Sequence, residues 1–335
     1  MRRRLAEVAK YAGVSEATVS RVLNQKPGVA KATQELVLTA LDVLGYERPT
    51  QLRGERARLV GLVLPELQNP IFPAFAEVVA DALAKRGFTP VLCTRTSAGI
   101  SEADYVEMLL EHQVSGVIFS GGLYAQAAAD HEHYQRLRDR GLPAVLVNAA
   151  YDDLGFPRIS VDDRSAVEQA LTHLRSLGHE RIGMVLGPAD HMPSRRKLAA
   201  FESLGGEREL VERGMFSMES GQASATKLLQ KGATGVICAS DVLALGVVRG
   251  ARRAGHAVPD DLSVIGFDYS ALMACTDPPH TTVRQPLEAM GRGAVNTLLT
   301  LVSGGPVSTE ELLFAPELVV RGSTAALANR LQVLG

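Results

Sequence analysis

The residue types with the clearest chemical potential lie near the start of the chain. The small residue Ala9 stands four positions before Gly13, and the aliphatic Val19 stands six positions after it. Two helices that cross near a right angle need a small residue where they touch, a turn residue that tolerates positive φ, and a buried aliphatic residue in the second helix. Ala9, Gly13 and Val19 meet these needs in that order. The second helix would direct its N-terminus at phosphate and expose residues suited to the major groove of DNA: Glu16, Ala17, Thr18 and Arg21. A helical hairpin that binds no nucleic acid is the alternative interpretation.

Charge is distributed unevenly along the chain. The formal net charge is −2, yet residues 1–58 hold 11 Lys and Arg against 6 Asp and Glu, whereas the rest of the chain holds 24 against 31. A basic head on an acidic body indicates that the head alone meets a polyanion. A solvated basic tail would show the same balance, so charge supports the motif without deciding the function.

Three short helices are predicted to position these residues. The first ends at Gly13, the second is capped by Ser15, and the third spans about 31–44 and ends before Gly45. Segment 47–58 is polar and contains Pro and Gly, which is typical of a linker. We therefore predict a helix-turn-helix head at 1–46, a hinge at 47–58 and a larger domain at 59–335. The first helix has an apolar face at helical spacing: Leu5, Val8, Ala9 and Ala12.

From residue 59 onward, short apolar runs alternate with helical stretches. Near-continuous apolar runs between helices predict buried parallel strands with right-handed crossovers. The series 59–147 and 163–266 predict two similar α/β lobes with a cleft between them. Strands are predicted at 59–64, 89–93, 116–120, 144–147, 182–186, 235–239 and 262–266, and helices at 73–86, 101–112, 130–140, 163–177, 194–204, 220–231 and 241–254.

Several classes of protein are disfavoured by what the sequence lacks. We expect no transmembrane helix and no secretory signal, because no long uncharged apolar run occurs. The three separated cysteines predict a reducing cytoplasm. Two further classes were considered. A transport protein for carbohydrates is disfavoured by the attached head, and an α/β enzyme by the absence of phosphate-binding loops and catalytic motifs. No cofactor and no metal is predicted, since the alternating His131 and His133 on a polar helix rarely converge on one ion.

The motifs resemble those of the LacI/GalR family of bacterial transcription repressors. The resemblance extends over essentially the whole chain, in order. It implies a helix-turn-helix head, a hinge and a two-lobed α/β domain like the periplasmic sugar-binding proteins. The matching segments are AKYAGVS (9–15), TVSRVLN (18–24), PELQNPIF (65–72), HL and LGHERI (173–182), ASD and ALG (239–246), VIGFD (264–268), and PP and TTVRQP (278–286).

The resemblance implies a DNA-binding site on the head. Glu16, Ala17 and Arg21 would read bases, with Arg21 gripping guanine, Ala17 touching a thymine methyl and Glu16 accepting from cytosine. The alternative for Glu16 is that its negative charge only stabilises the N-terminal end of the helix dipole and contacts no base. Leu52 in the short hinge is the candidate wedge for the minor groove. Leu5 also belongs to the expected DNA-binding set. Four further members either hold phosphates or fix the helix: Ser15, Thr18, Ser20 and Asn24.

The resemblance also implies an effector site in the cleft, where a polyol would need paired donors and acceptors beside an apolar face. The alternative for Asp241 and Gln285 is a structural role: each would either cap a helix or link the two lobes. Lys197 stands where the family has an arginine. A lysine ammonium cannot donate two parallel hydrogen bonds as a guanidinium does, so it would bind a pair of hydroxyl groups less well. Arg196 could replace the missing arginine if its side chain turned toward the cleft. The expected effector residues are Asn69, Phe72, Asn148, Lys197, Phe216, Ser240, Asp241, Asp268 and Gln285.

Assembly and effector class follow from the same resemblance. A homodimer on a pseudo-palindromic operator of double-stranded DNA is expected. The C-terminal leucines at 327, 331 and 334 give little more than one heptad, which is too short to hold a tetramer. Segments 45–49 and 316–324 look most like maltose-operon repressors, so we expect a sugar effector, with a maltose-like oligosaccharide favoured.

Overall fold

The structure is a computed structural model that describes residues 2–23, 26, 28–44, 58–95, 99–148 and 154–327. The chain divides into two compact units, Met1–Leu59 and Val60–Gly335. Asn24, Leu52, the leucines at 331 and 334 and nearly all of segment 47–58 lie outside the described residues. Within the described part of the chain, no helix is both long and apolar enough to cross a membrane.

The first unit contains the three helices that the sequence predicts: α1 (Arg2–Ala12), α2 (Glu16–Leu23) and α3 (Lys31–Val43). Gly13 adopts a φ of 66° between α1 and α2, a conformation that would strain a residue with a Cβ. The amide of Val14 donates to the carbonyl of Ala9 at 3.0 Å and closes this turn. Ala9 and Val19 are both buried in the core of the head, as their spacing predicts.

The second unit is built on two six-stranded sheets, each with helices, which we call the first and second lobes. In the first lobe, the strand order is β11-β5-β4-β3-β1-β2, and the pairs from β11 to β1 are parallel. Its strands are β1 (Leu59–Leu64), β2 (Thr89–Thr94), β3 (Gly116–Ser120), β4 (Ala144–Val147), β5 (Arg158–Val161) and β11 (Glu311–Phe314). Its helices are α4 (Ile71–Ala84), α5 (Glu102–Glu111), α6 (Glu132–Asp139) and α11 (Leu287–Val302).

In the second lobe, the strand order is β12-β10-β9-β8-β6-β7. All of its pairs are parallel except β10 with β12, which is antiparallel. Its strands are β6 (Ile182–Leu186), β7 (Val211–Arg213), β8 (Gly235–Cys238), β9 (Ser263–Asp268), β10 (Thr281–Arg284) and β12 (Glu317–Val319). Its helices are α7 (Asp163–Ser176), α8 (Met192–Ser203), α9 (Met218–Gln230) and α10 (Asp241–Arg253).

The chain crosses between the lobes three times. It leaves the first lobe after β5, returns after β10 to form α11 and β11, and crosses again to form β12. The prediction of two lobes is confirmed, but the lobes are not the two consecutive series that the sequence predicts. The sequence patterns did not predict β5, β7, β10, β11, β12 or α11. The strands among these have only three or four residues, and α11 contains Gly291 and Gly293, which interrupt its helical pattern.

Helices α9 and α10 approach so closely that glycine is required at their contact. A Cβ at Gly221 would lie 2.2 Å from the carbonyl oxygen of Leu243, and one at Gly246 would lie 2.2 Å from that of Met218. We expect Gly221→Ala to lower the free energy of unfolding by about 1–3 kcal/mol, because the backbone cannot move aside and the clash outweighs the gain in helix propensity.

Urea unfolding of the variant measures this cost. Gly293→Ala is the matched control in α11, since its Cβ would approach side-chain ends and no backbone atom: the ring of Phe314 at 3.2 Å and Ile159 Cδ1 at 3.6 Å. If both variants shift the unfolding midpoint equally, close packing of α9 on α10 is not what selects glycine.

Candidate functional site

The exposed face of α2 is the candidate DNA-reading surface of the head. Val19 and Val22 are buried, which fixes the orientation of the helix on the core. Glu16, Ala17 and Arg21 are exposed. Since Ala17 and Arg21 are four residues apart, they stand on one face. The head therefore presents the three proposed base readers to solvent on a helix that its own core holds in place.

The other head residues have more local contacts. Ser15 Oγ accepts a hydrogen bond from the Thr18 amide at 3.1 Å and lies 2.9 Å from Thr18 Oγ1. Ser15 therefore caps α2, as the sequence predicts. Leu5 and Ser20 are partly buried, and Leu5 packs against the core of the head. This position favours a supporting role for Leu5 over direct contact with DNA.

A cavity of about 330 Å³ lies between the two lobes of the second unit. Open α/β sheets place their ligands at the carboxyl ends of strands, and the cavity follows that rule. Its aromatic lining includes residues that the sequence analysis did not single out, Phe75 and Phe267. Eight of the nine expected effector residues line it: Asn69, Phe72, Asn148, Lys197, Phe216, Ser240, Asp268 and Gln285.

A chain of side-chain hydrogen bonds crosses the cleft. Asn148 Nδ2 of the first lobe donates to Gln285 Oε1 at 3.1 Å, and Gln285 Nε2 donates to Asp268 Oδ1 of the second lobe at 2.8 Å. Gln285 follows β10 at a crossing between the lobes. It therefore both lines the cavity and ties the lobes together, which combines the two interpretations left open for it.

Asp268 is the most unusual residue of the cleft. Its φ is 115°, a conformation that costs energy for a residue with a side chain and is found mostly at functional sites. It is buried, and its Oδ2 atom has no hydrogen-bond partner among the described residues. A buried, unsatisfied oxygen is costly unless a ligand completes its bonding. Asp268 is therefore prepared to bind a polar group in the cleft.

Asp241 does not line the cleft, so the expectation that it contacts an effector needs correction. Its Oδ1 accepts from Thr282 Oγ1 at 2.6 Å, and its Oδ2 accepts from the amide of Ser270 at 2.8 Å. One oxygen is thus committed to strand β10 and the other to the turn that follows Asp268. Asp241 holds that turn in place, whereas its neighbour Ser240 caps α10 by accepting from the amide of Leu243 and does line the cavity.

Lys197 is buried and paired rather than a free donor. It forms an ion pair with Asp163, and its Nζ atom lies 4.0 Å from the centre of the Phe267 ring. Arg196 does not turn inward: its Nη1 atom donates to Glu311 Oε1 of the first lobe at 2.7 Å. Lys197 therefore presents a neutralised ammonium group to the cleft, and no neighbouring arginine replaces it.

Sequence reasoning missed several residues that line the cleft. Asp163 follows the crossing from β5, and Arg95 follows β2, so their place after a strand is a signal that could have found them. His191 precedes α8 and packs its ring edge-on against Phe216 at 5.2 Å. Burial, together with the charge of Lys197, lowers the pKa of His191 to about 4. Gln126 of the first lobe pairs with His191 across the cleft as an isolated β-bridge.

The two histidines that were considered as metal ligands make polar contacts within the first lobe instead. His133 Nε2 lies 3.1 Å from Glu102 Oε1, and His131 Nε2 lies 3.0 Å from the carbonyl of Leu123. Among the described residues, no group of three or more His, Cys, Asp or Glu is arranged to hold a metal ion.

The buried carboxyl groups beneath the cleft should make the stability of the protein depend on pH. Burial and the nearby Asp241 raise the pKa of Asp268 to about 8, and burial raises the pKa of Asp241 to about 6. Above the ordinary value of 3.8, the unfolded chain releases these protons while the folded protein retains them. The free energy of unfolding therefore falls as pH rises from about 4, up to about pH 6 through Asp241 and up to about pH 8 through Asp268, by at most about 1.4 kcal/mol per pH unit for each group.

Asp268→Asn removes one of these titrating groups, so the free energy of unfolding of the variant should fall less steeply between pH of about 6 and about 8. Urea unfolding of both proteins across that range measures the difference. An identical pH dependence in the two proteins would show that Asp268 takes up no proton on folding.

The fold and the sites together define a class of protein. A three-helix head with an exposed reading surface, on a chain with a two-lobed unit that encloses a polar cleft, is the architecture of a ligand-responsive DNA-binding regulator. Comparison with known families agrees. Residues 4–49 match the family of bacterial regulatory proteins of the lacI type, and residues 171–324 match the periplasmic binding protein-like domain.

Similar proteins extend the match to nearly the whole chain. The HTH-type transcriptional regulator reg1 of Streptomyces lividans is 53% identical over 97% of this chain and 98% of its own length. The HTH-type transcriptional regulator MalR of Streptomyces coelicolor is 52% identical over the same shares. The chain therefore belongs to the LacI family of bacterial transcriptional regulators, and its relatives are regulators rather than enzymes.

Solved structures show the same fold. A complex of the transcriptional regulator CelR with cellobiose is 32% identical, with a TM-score of 0.70 over 95% of this chain and 99% of that one. The lac repressor dimer bound to operator and the anti-inducer ONPF is 28% identical, with a TM-score of 0.72 over 95% of this chain and 98% of the repressor chain.

Proposed function

We propose that this LacI-family regulator binds a sugar in the cleft, that a maltose-like oligosaccharide is the favoured effector, and that binding changes its affinity for operator DNA. The observation that carries the proposal is the buried Asp268 Oδ2, which has no hydrogen-bond partner among the described residues, in a cavity that also holds aromatic rings. Sugars offer hydroxyl groups to polar side chains and an apolar face to rings, and the cleft supplies both. The resemblance to MalR and to the cellobiose complex of CelR supports the same class of effector.

The charges of the cleft favour an uncharged sugar over a sugar phosphate. Lys197 is paired with Asp163. Burial raises the pKa of Glu66, and the nearby cation of Arg95 opposes that rise. With its pKa near 8, Asp268 is mostly neutral at pH 7. Since the ammonium group of Lys197 is already paired with a carboxylate, it offers a phosphate group less than a free cation would.

A thermal-shift panel tests the effector class. Maltose, maltotriose, cellobiose, ribose, glucose 6-phosphate and adenosine are compared on the purified full-length protein. We expect an uncharged glucoside to stabilise it, by about 2.7 kcal/mol at 100 times the dissociation constant. Stabilisation by adenosine alone, or by the phosphate ester alone, would overturn the sugar proposal.

We further propose that the chain acts on DNA in the cytoplasm as a homodimer. The head at 1–46 would bind one half-site, the hinge at 47–58 would join it to the sensor domain at 59–335, and two copies would read a pseudo-palindromic operator. On the head, Glu16, Ala17 and Arg21 would contact bases.

The dimer is expected to persist without further assembly. Light scattering at micromolar concentration should give twice the chain mass of 35.8 kDa. A mass four times that of the chain would contradict this expectation.

A further inference from the structure

We propose that Tyr269 is a positioning residue for the effector site: its ring contacts two arginines, and these contacts hold the turn that presents Asp268 to the cleft. Tyr269 directly follows Asp268, the last residue of β9, and does not line the cavity. It therefore acts on a ligand only through Asp268. This role rests on the proposed effector site, but part of its test needs no ligand.

The turn needs support because its backbone is strained. Asp268 and Tyr269 have φ values of 115° and 72°, which are unfavourable for residues with a Cβ and most of all for a bulky side chain. Glycine adopts such conformations without this strain. A chain that places an aspartate and a tyrosine here must hold them with contacts made by the surrounding structure.

The Tyr269 ring makes such contacts with two guanidinium groups. The Cζ atoms of Arg284 and Arg321 lie 5.2 and 5.0 Å from the centre of the ring. A cation close to an aromatic ring is attracted by the negative charge density of the ring face, and arginine makes this contact more often than lysine does. Tyr269 is partly buried, so water screens the attraction only in part.

Both arginines are fixed by other parts of the second lobe. Arg284 is the β10 residue that pairs with Asp268 in the sheet, and it forms an ion pair with Glu317 of β12. Arg321 Nη1 donates to the carbonyl of His280 at 2.6 Å. The ring thus meets two cations that are already ordered, so little further side-chain entropy is lost when the contacts form.

Other contacts hold the two ends of the same turn. Asp241 anchors its far end, because the Oδ2 atom accepts from the amide of Ser270 at 2.8 Å. Gln285, next to Arg284, donates to Asp268 Oδ1 at 2.8 Å. Removal of the ring leaves these hydrogen bonds in place. We therefore expect the variant to fold and to lose only the geometry in which Asp268 faces the cleft.

Calorimetric titration tests the role of the ring, with the tightest-binding sugar among maltose, maltotriose, cellobiose and ribose. Tyr269→Met retains apolar bulk without an aromatic face and should weaken sugar binding by about 5- to 30-fold, the equivalent of two partly exposed cation–π contacts. Tyr269→Phe retains the ring and should bind within about twofold of the wild type. Equal losses in both variants, or no loss in Tyr269→Met, would overturn the proposal.

A double-mutant cycle tests whether Arg284 acts through the ring. Arg284→Gln removes the cation, and its combination with Tyr269→Met should weaken sugar binding by less than the product of the two single losses, because one contact can be lost only once. The control Arg252→Gln removes another exposed, ion-paired arginine of the second lobe and should bind the sugar like the wild type. Losses that multiply in the double variant would show that the contact of Arg284 with the ring does not support Asp268.

The pH dependence of unfolding tests the same role without a ligand. In the wild type, burial and the charge of Asp241 raise the pKa of Asp268 to about 8, and the cation of Lys197 opposes that rise. When the ring no longer holds its turn, Asp268 should titrate closer to its ordinary value. The free energy of unfolding of Tyr269→Met should then fall less steeply between pH of about 6 and about 8, and Tyr269→Phe should keep the wild-type slope.

The two measurements separate the effector from the positioning role. A wild-type slope in Tyr269→Met would overturn the positioning of Asp268, whatever the sugar affinity. Failure of every sugar to bind the wild type would defeat the proposed effector. A shallower slope in Tyr269→Met, but not in Tyr269→Phe, would still support the positioning role in that case.

Discussion

Replacing Asp268 with Ala is expected to weaken sugar binding by about 10- to 150-fold, the equivalent of about 1.5–3 kcal/mol. The change removes the unpartnered Oδ2 atom that awaits a ligand and leaves Gln285 Nε2 without its acceptor. Calorimetric titration of the variant with the sugar that binds most tightly to the wild type measures the loss.

Two further variants sharpen this result. Asp268→Asn retains an oxygen that can accept from Gln285 and an amide that can donate to the ligand. Since Asp268 is mostly protonated near pH 7, the amide should preserve more of the affinity than Ala does. Glu180→Ala, an exposed position that does not line the cavity, is the control. Unchanged sugar binding in Asp268→Ala would remove the site proposed here.

Replacing Arg21 with Ala should have the largest effect on DNA recognition. Its exposed position on α2, one turn after Ala17, allows it to reach the major groove with a guanidinium fork that matches guanine O6 and N7. We expect operator binding to weaken by about 1–3 kcal/mol and specificity to relax at one base position. Selection from a library of randomised sites measures both.

The control for this experiment removes a head charge that lies away from α2. Glu35→Ala changes an exposed residue of α3 and should leave the selected sequence unchanged. An Arg21→Ala protein that selects the same operator as the wild type would show that Arg21 reads no base.

The sequence predicted the regular elements well because local patterns specify them. The apolar runs that became β1, β3, β4 and β6 have the predicted bounds, and Gly13 turns where its spacing requires. Local patterns could not predict the three crossings of the chain between the lobes. The short strands β10 and β12 gain their stability from pairing with each other and with β9, so their own residues carry little signal.

The same limit applies to the cleft. Asp268 ends strand β9 and Asp241 follows strand β8, so position in the sequence alone did not distinguish a cleft residue from a structural one. Only the tertiary structure shows that Thr282 and Ser270 occupy both oxygens of Asp241. The pairing of Lys197 with Asp163, 34 residues apart in sequence, likewise depends on how α7 packs against α8.

We propose that occupancy of the cleft controls operator binding. The most direct test is fluorescence anisotropy with a labelled operator from the upstream region of the protein's own operon, with and without a saturating concentration of the sugar that binds most tightly. We expect the sugar to change the dissociation constant for the operator by about fivefold or more. We also expect Asp268→Ala to bind the operator normally and to lose the response. An operator affinity that is the same with and without the sugar, while calorimetry shows that the sugar is bound, would contradict control of operator binding by the cleft.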